Sequence, residues 1–117
     1  MPNVAIKDKL GLSGRVVGDF VKLAQKHPEY FSHPQEVKVL SDFIFEYAKE
    51  AMLATDKRFA LLIAPLEDTN TNFGSAVIRL HNINGEHRIR SVVLMSQEQV
   101  KIKREKAKKL GEPILQF

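Results

Sequence analysis

Asn84-Gly85 constrains this chain more than any other pair of residues. It stands between two runs, 74–82 and 86–95, rich in alternating apolar and polar side chains, and Asn-Gly most readily takes the two positive φ angles of a type I′ turn. The segment therefore predicts a β-hairpin in which Ile83 faces Glu86. Counting outward, Ala76 lies opposite Val93, Ile78 opposite Ser91 and Leu80 opposite Ile89 on the core side. The other side pairs Val77 with Val92, Arg79 with Arg90 and His81 with Arg88, because neighbours along a strand point to opposite faces. Like charges directly across a ladder repel, so such a patch asks for an anion. Arginine forks bind phosphate oxygens bidentately, and a neighbouring histidine can carry a proton near neutral pH. The plainer reading is solvated strand residues paired with Glu67, Asp68 or Glu86.

The rest of the chain supplies helices and further strands. Val17, Phe20, Val21 and Ala24 fall at helical spacing, which predicts a first helix over 15–26, begun by Ser13 or Gly14 and closed before Pro28. A second helix starts at Pro34 with Ser32 or His33 as its cap. Val37, Leu40, Ile44, Tyr47, Ala48 and Ala51 form its stripe, widened by Val39, Phe43 and Met52, so it packs against the sheet. The apolar run 59–64 lacks alternation and reads as a central strand covered on both faces. A polar loop, 67–72, follows it. Ser96 and Gln99 form a capping box that opens a helix ending at Gly111, and 112–117 returns as a last strand. With 117 residues there is one domain's worth of core. The expected architecture is α+β: N-terminal helices packed on an antiparallel sheet of about four strands, with a basic helix before the last strand.

That helix carries the charge. Between Gln97 and Lys109 six basic residues (Lys101, Lys103, Arg104, Lys106, Lys108, Lys109) face two acidic ones, which accounts for the whole net charge of +4. Lys101, Arg104 and Lys108 share one face at three- and four-residue spacing, placed to hold the phosphates of a polyanion; the alternative is a solvated face that keeps the domain soluble. His27 closes the first helix. It is either a structural residue or reaches over the sheet edge toward Arg79 and Arg90, completing an acid/base pair with His81.

Other chemistries fall away. The chain has no Cys, hence no thiolate nucleophile, disulfide or cysteine-based zinc site. There is no His-x-x-x-His or carboxylate cluster at metal-ligand spacing, no phosphate-binding glycine loop (the 11–14 segment lacks the Lys-Ser/Thr ending) and no nucleophile elbow around any serine. Neither a metal nor a cofactor is expected. With no Trp and only Tyr30 and Tyr47, a base-stacking surface is not expected either. The longest apolar run is about six residues against roughly 20 for a membrane span, so no membrane is expected, and the first twenty residues lack the pattern of a secretory signal.

The order of Gly11-Leu12, Lys26-His27-Pro28-Glu29, an apolar helix, Leu61-Leu62-Ile63, and a hairpin ending in Ile89-Arg90-Ser91-Val92 before a Gln-rich helix start resembles the phage-associated nucleases of the barnase, EndoU, colicin and RelE superfamily. The likeness covers the chain from Gly11 to Phe117. It implies a small α+β nuclease domain that cleaves RNA without a metal, working as a toxin or as an effector module of a larger phage or mobile-element protein. Lys26 and His27 match the Lys-His of the family's first helix, and Arg90 with Ser91 match its basic strand position and the serine after it. The hairpin pairing agrees on Arg90 and puts Ser91 on the core face. No glutamate stands where barnase has its general base; Glu67 and Glu86 lie in or beside loops.

Together these observations lead to a metal-independent endoribonuclease acting in the cytoplasm on RNA, tRNA among the candidates, with an immunity or antitoxin protein as the partner such a toxin needs. His27 or His81 would assist attack of the ribose 2′-hydroxyl and the other would protonate the leaving oxygen. Arg79 and Arg90 would stabilise the phosphoryl charge, and Lys26, Arg88, Lys101, Arg104 and Lys108 would hold substrate. The alternatives are a nucleic-acid-binding domain without catalysis and a phage protein-interaction module.

Overall fold

A helix over Val4–Leu10 (α1) begins where the Asn3 side chain accepts the Ile6 N–H at 2.9 Å and stops at Gly11, whose φ of 66° is left-handed. This is the first of four helices in the computed structural model, which describes residues 2–66 and 72–117. The hairpin and capping arguments do not detect it. The single helix expected over 15–26 is two elements. Arg15–Val17 is a strand (β1) and Phe20–Lys26 a helix (α2), capped by Asp19, which accepts the Lys22 N–H at 3.2 Å. Val16 and Val17 are β-branched and find a ladder partner elsewhere in the chain, which outweighs a marginal extra turn of helix.

Helix α3 (Pro34–Tyr47) starts as the sequence suggests, with Pro34 in its first turn and His33 as cap. His33 Nδ1 accepts the Gln35 N–H at 3.1 Å, and the Glu36 carboxylate accepts from the His33 N–H at 2.9 Å and from the Ser32 hydroxyl at 2.7 Å. These bonds, the Ser32 side chain first, hold Glu36 below its ordinary acidity range. The helix does not run to Met52. Glu50–Leu53 is strand β2, because pairing on both of its edges satisfies more backbone groups than one further helical turn.

Strands β3 (Phe59–Pro65), β4 (Asn72–Arg79), β5 (Glu86–Ser96) and β6 (Ile114–Gln116) complete a six-stranded sheet in the order β1-β5-β4-β3-β2-β6. The expectation of about four antiparallel strands is corrected on two counts: the described residues form six, and β1 runs parallel to β5. The basic segment Gln97–Lys109 is helix α4, opened by the Ser96–Gln99 capping box.

Both faces of the sheet carry an apolar core, packed against different helices. On the first, Leu62, Ala76, Ile78, Ile89 and Val92 pack with Leu23 of α2 and Val37, Ile44 and Phe45 of α3. Gly74 lets α3 approach, since a Cβ there would lie 2.9 Å from Leu40 Cδ1. On the second face Met52, Leu61, Ile63 and Met95 pack with Val100 and Ala107 of α4, Val77 and Val93 lying against them. β3 sends alternate side chains into the two cores, which is why its sequence is uniformly apolar. Each fully buried Leu or Ile stabilises the fold by roughly 2 kcal/mol. By contrast Val39 and Tyr47, assigned above to the buried side of α3, stand 59% and 56% exposed.

The hairpin forms, but not in the expected register. Asn84 and Gly85 have φ of 55° and 79°, and Ile83 and Glu86 exchange hydrogen bonds of 3.0 and 3.1 Å. Beyond that pair four residues, 79–82, lie against only two, His87 and Arg88, before Ile78 meets Ile89. Arg90 is then an extra residue, a bulge, after which Val77 faces Ser91 and Ala76 faces Val92. The expected cross-strand pairs Arg79–Arg90 and His81–Arg88 therefore do not exist. Side chains divert the ladder. His87 is fully buried, its Nδ1 3.1 Å from the Arg79 carbonyl and its Nε2 accepting the Gly14 N–H at 3.0 Å. Arg79 donates to the carbonyls of Glu86 and His81 at 3.0 and 3.3 Å. The one-residue slip also turns Val92 into the first core.

Candidate functional site

On its second face the sheet is only partly covered by α4, and the uncovered part is a cleft of about 780 Å³. Its floor is apolar, built from Leu61, Val77, Val93, Met95 and Ala107. Its rim is polar and mostly basic. Lys26 and His27 come from the end of α2 and its cap, Tyr30 from the turn that follows, Asp56 from the turn between β2 and β3, Arg90 and Ser91 from the bulge in β5, and Lys103 and Lys106 from α4. An apolar slot with a few convergent polar groups is the usual form of a ligand site.

Each rim residue has a local cause. His27 ends α2, its N–H donating to the Ala24 carbonyl at 3.2 Å. Its ring stacks on Tyr30 with centroids 5.7 Å apart, and Nδ1 lies 3.4 Å from Glu29 Oε1. Lys26 Nζ donates to the Arg90 carbonyl at 2.7 Å, tying α2 to the bulged residue. The Arg90 guanidinium lies over the Phe59 ring, 4.9 Å from its centroid, and Nη1 is 3.6 Å from Asp56 Oδ2. Asp56 is in turn held by Arg58, whose Nε and Nη2 donate at 3.0 and 2.7 Å and whose backbone N–H donates at 3.1 Å. The Arg58 hydrogen bonds, then the charges of Arg58 and Arg90, push the Asp56 carboxyl down to about 2. At the α4 end, Lys57 pairs with Glu112.

Of the residues singled out in the sequence, Lys26, His27 and Arg90 come together at this rim. Ser91 joins them: the ladder reading that turned it into the core is corrected by the bulge, which puts it opposite Val77 on the cleft side. Arg79 and His81 do not line the cleft; Arg79 is committed to backbone carbonyls and His81 is exposed beyond the end of β4. The proposed His27–His81 pair is therefore not assembled. Of the partners suggested for the arginines, Glu86 binds Arg15 at 3.1 Å, while Glu67 and Asp68 lie outside the described residues. Arg88 sits with Asp19 and Lys22 in a shallow groove that continues to Lys26 and Arg90. Among the described residues it has no ion-pair partner.

Helix α4 turns a different side to the cleft from the one expected. Arg104 holds Glu50 of β2, Nε lying 2.9 and 3.0 Å from the two carboxylate oxygens, and the bonds raise the guanidinium's basicity further. Its charge is thus engaged within the fold. Lys108 lies beside Lys49 on that same flank, and Lys101 is exposed away from the cleft. Lys103 and Lys106 occupy the opposite flank and face the slot. Sequence reasoning missed them, together with Asp56 and Tyr30. The buried pair Val100 and Ala107 marks the stripe that separates the two flanks, but only the topology decides which flank meets the open half of the sheet.

No group of three or more His, Asp or Glu side chains is placed to hold a metal among the described residues. No helix there is long and apolar enough to cross a membrane. No family model, curated protein or solved structure matches this chain.

Proposed function

We propose that the cleft binds RNA across its rim and that the protein is a metal-independent endoribonuclease. The observation that carries this reading is the meeting of Lys26, His27, Arg90, Lys103 and Lys106 around one slot, from three separate parts of the chain. A phosphodiester laid on the rim would meet the Arg90 fork and the lysines, which neutralise charge as it grows on the phosphoryl oxygens. His27, at the mouth and partly exposed, takes the proton of the ribose 2′-hydroxyl. The 2′-oxygen bonds to phosphorus, the bond to the 5′-oxygen breaks, water gives that leaving oxygen a proton, and the hydroxide so formed takes back the proton held by His27, which returns the imidazole to its neutral form. The products are a 2′,3′-cyclic phosphate and a free 5′-hydroxyl. The likeness to the phage-associated nucleases supports the same reading at Lys26, His27 and Arg90.

A binding domain without catalysis is the second reading. It is favoured by the state of the cleft's carboxylates, since Asp56 is held ionised by two arginines and Glu112 is paired with Lys57, so that among the described residues of the lining no second His, Asp or Glu is free to work with His27 as its acid or base.

Incubation with tRNA and a mixed RNA pool in EDTA, followed by end-group analysis, tests both. Cyclic phosphate ends that fall by about a hundredfold or more in His27→Ala and Arg90→Ala, and persist in His81→Ala, support the nuclease. Intact RNA that is retained in a gel shift, with retention lost in Arg90→Ala, moves the conclusion to binding alone. Intact RNA with no retention overturns both.

A further inference from the structure

Arg90 stands on a bulge with its side chain 54% exposed, a setting in which a long side chain ordinarily samples many rotamers. Here three contacts from different elements converge on it. Lys26 fixes its carbonyl, Phe59 supports the flat face of its guanidinium, and Asp56 lies against one edge. Asp56 is itself immobilised, accepting two side-chain bonds and one backbone bond from Arg58. We propose that Asp56 is the positioning residue of the cleft: its pinned carboxylate fixes one edge of the Arg90 guanidinium over the Phe59 ring and leaves the remaining N–H donors oriented for a phosphate. The inference rests on the reading of the cleft as a phosphodiester site.

A carboxylate at the rim of an anion site opposes the approach of its ligand while it orders the arginine that receives it. Its removal therefore acts in opposite directions on binding and on turnover, a separation that a purely structural residue would not produce.

The test uses the full chain, Asp56→Asn, and two readouts besides RNA cleavage: affinity for an all-2′-deoxy octanucleotide, which cannot be cleaved by 2′-attack, and the ¹⁵Nε–H signal of Arg90. In Asp56→Asn the Arg90 signal takes on the mobility of a free arginine, the deoxy oligonucleotide binds as well as before or up to about threefold tighter, and kcat falls about tenfold while KM stays the same or falls by up to the same factor of about three. Asp56→Glu, which restores the charge, recovers most of kcat. Asp56→Ser keeps an acceptor for the Arg58 N–H and takes the place of the Asn variant if that one does not fold. An Arg90 as ordered in the variants as in the parent, with kcat unaltered, overturns the proposal. Should the parent protein cleave no RNA, the nuclease reading falls while the Arg90 signal and the oligonucleotide affinity still decide this one: an unmoved signal or a weakened affinity refutes it.

Discussion

Arg104 Nε lies 2.9 and 3.0 Å from the two carboxylate oxygens of Glu50, a residue only 5% exposed, and so ties α4 to β2 across the end of the second core. The Arg104 side chain is 42% exposed, so water screens the pair from one side, and removing the arginine costs about 1–2 kcal/mol, between the values for an exposed and a buried pair. Arg104→Ala should lower the thermal midpoint accordingly, and Glu50→Leu combined with Arg104→Met should recover most of the loss. Circular dichroism melts of the three proteins check it; an unshifted midpoint in the single variant shows that the pair contributes nothing.

The two flanks of α4 should behave differently toward RNA. Lys103→Gln/Lys106→Gln removes two charges facing the cleft, whereas Lys101→Gln/Lys108→Gln removes two facing away from it. For a single strand each phosphate contact contributes about 0.7 to the slope of log affinity against log salt. The first pair should reduce that slope by about 1.4 and the second by much less. Fluorescence anisotropy with a labelled oligonucleotide over a salt series gives both slopes, and equal reductions would mean that binding follows total charge and ignores the cleft.

Acid should weaken the turn that carries Asp56. Its carboxyl ionises at about 2 in the folded chain instead of the ordinary 3.8, through the Arg58 hydrogen bonds first. The unfolded chain therefore takes up a proton first as the pH drops. The resulting contribution to stability is complete above about pH 4, declines as pH falls toward 2 and is absent below it. Glu36, lowered by Ser32 and His33, adds an effect of the same sign at the start of α3. Thermal midpoints of the parent and Asp56→Asn should differ at neutral pH and converge at the acid end; parallel curves would contradict the assignment.

His87 joins the segment at Gly14 to the end of β4 through its ring, beside the hydrogen bond of 3.1 Å that the Asn82 amide donates to the Ser13 hydroxyl. One ring nitrogen accepts the Gly14 N–H and the other contacts the Arg79 carbonyl. His87→Leu would leave both backbone groups without these partners at a fully buried position, a loss of about 2–3 kcal/mol. Amide hydrogen exchange should accelerate at Gly14 in that variant before it does in β3.

What the sequence made legible was the local chemistry. The Asn84-Gly85 turn, the His33 and Ser96 caps and the doubly buried β3 each follow from a few adjacent residues whose backbone preferences agree. Residues 15–17 and 50–53 were misread because their strand state depends on partners far along the chain, Arg15 on Glu86 and Glu50 on both Ile63 and Gln116. The site was legible in part for the same reason. His27, Lys26 and Arg90 stood out as residue types, yet the pairing that was meant to gather the arginines failed once His87 was buried and Arg90 bulged out. Lys103, Lys106 and Asp56 became visible only when the side of the sheet that α4 covers was known.

The mismatch between the turn and the ladder above it bears on the order of folding. A hairpin that zipped outward from Ile83 and Glu86 would carry Val92 opposite Val77 and meet a register that the finished sheet does not contain. The expected order is therefore pairing first in the middle of the strands, where Ala76 and Val92 are drawn into the first core, with the turn closing last. Ala76→Gly and Val92→Ala should then slow folding, and Gly85→Ala, strained at its positive φ, should mainly speed unfolding. That pattern of rates would make the most recognisable dipeptide of the sequence a latch on the hairpin, with the nucleus in the apolar middle of the strands.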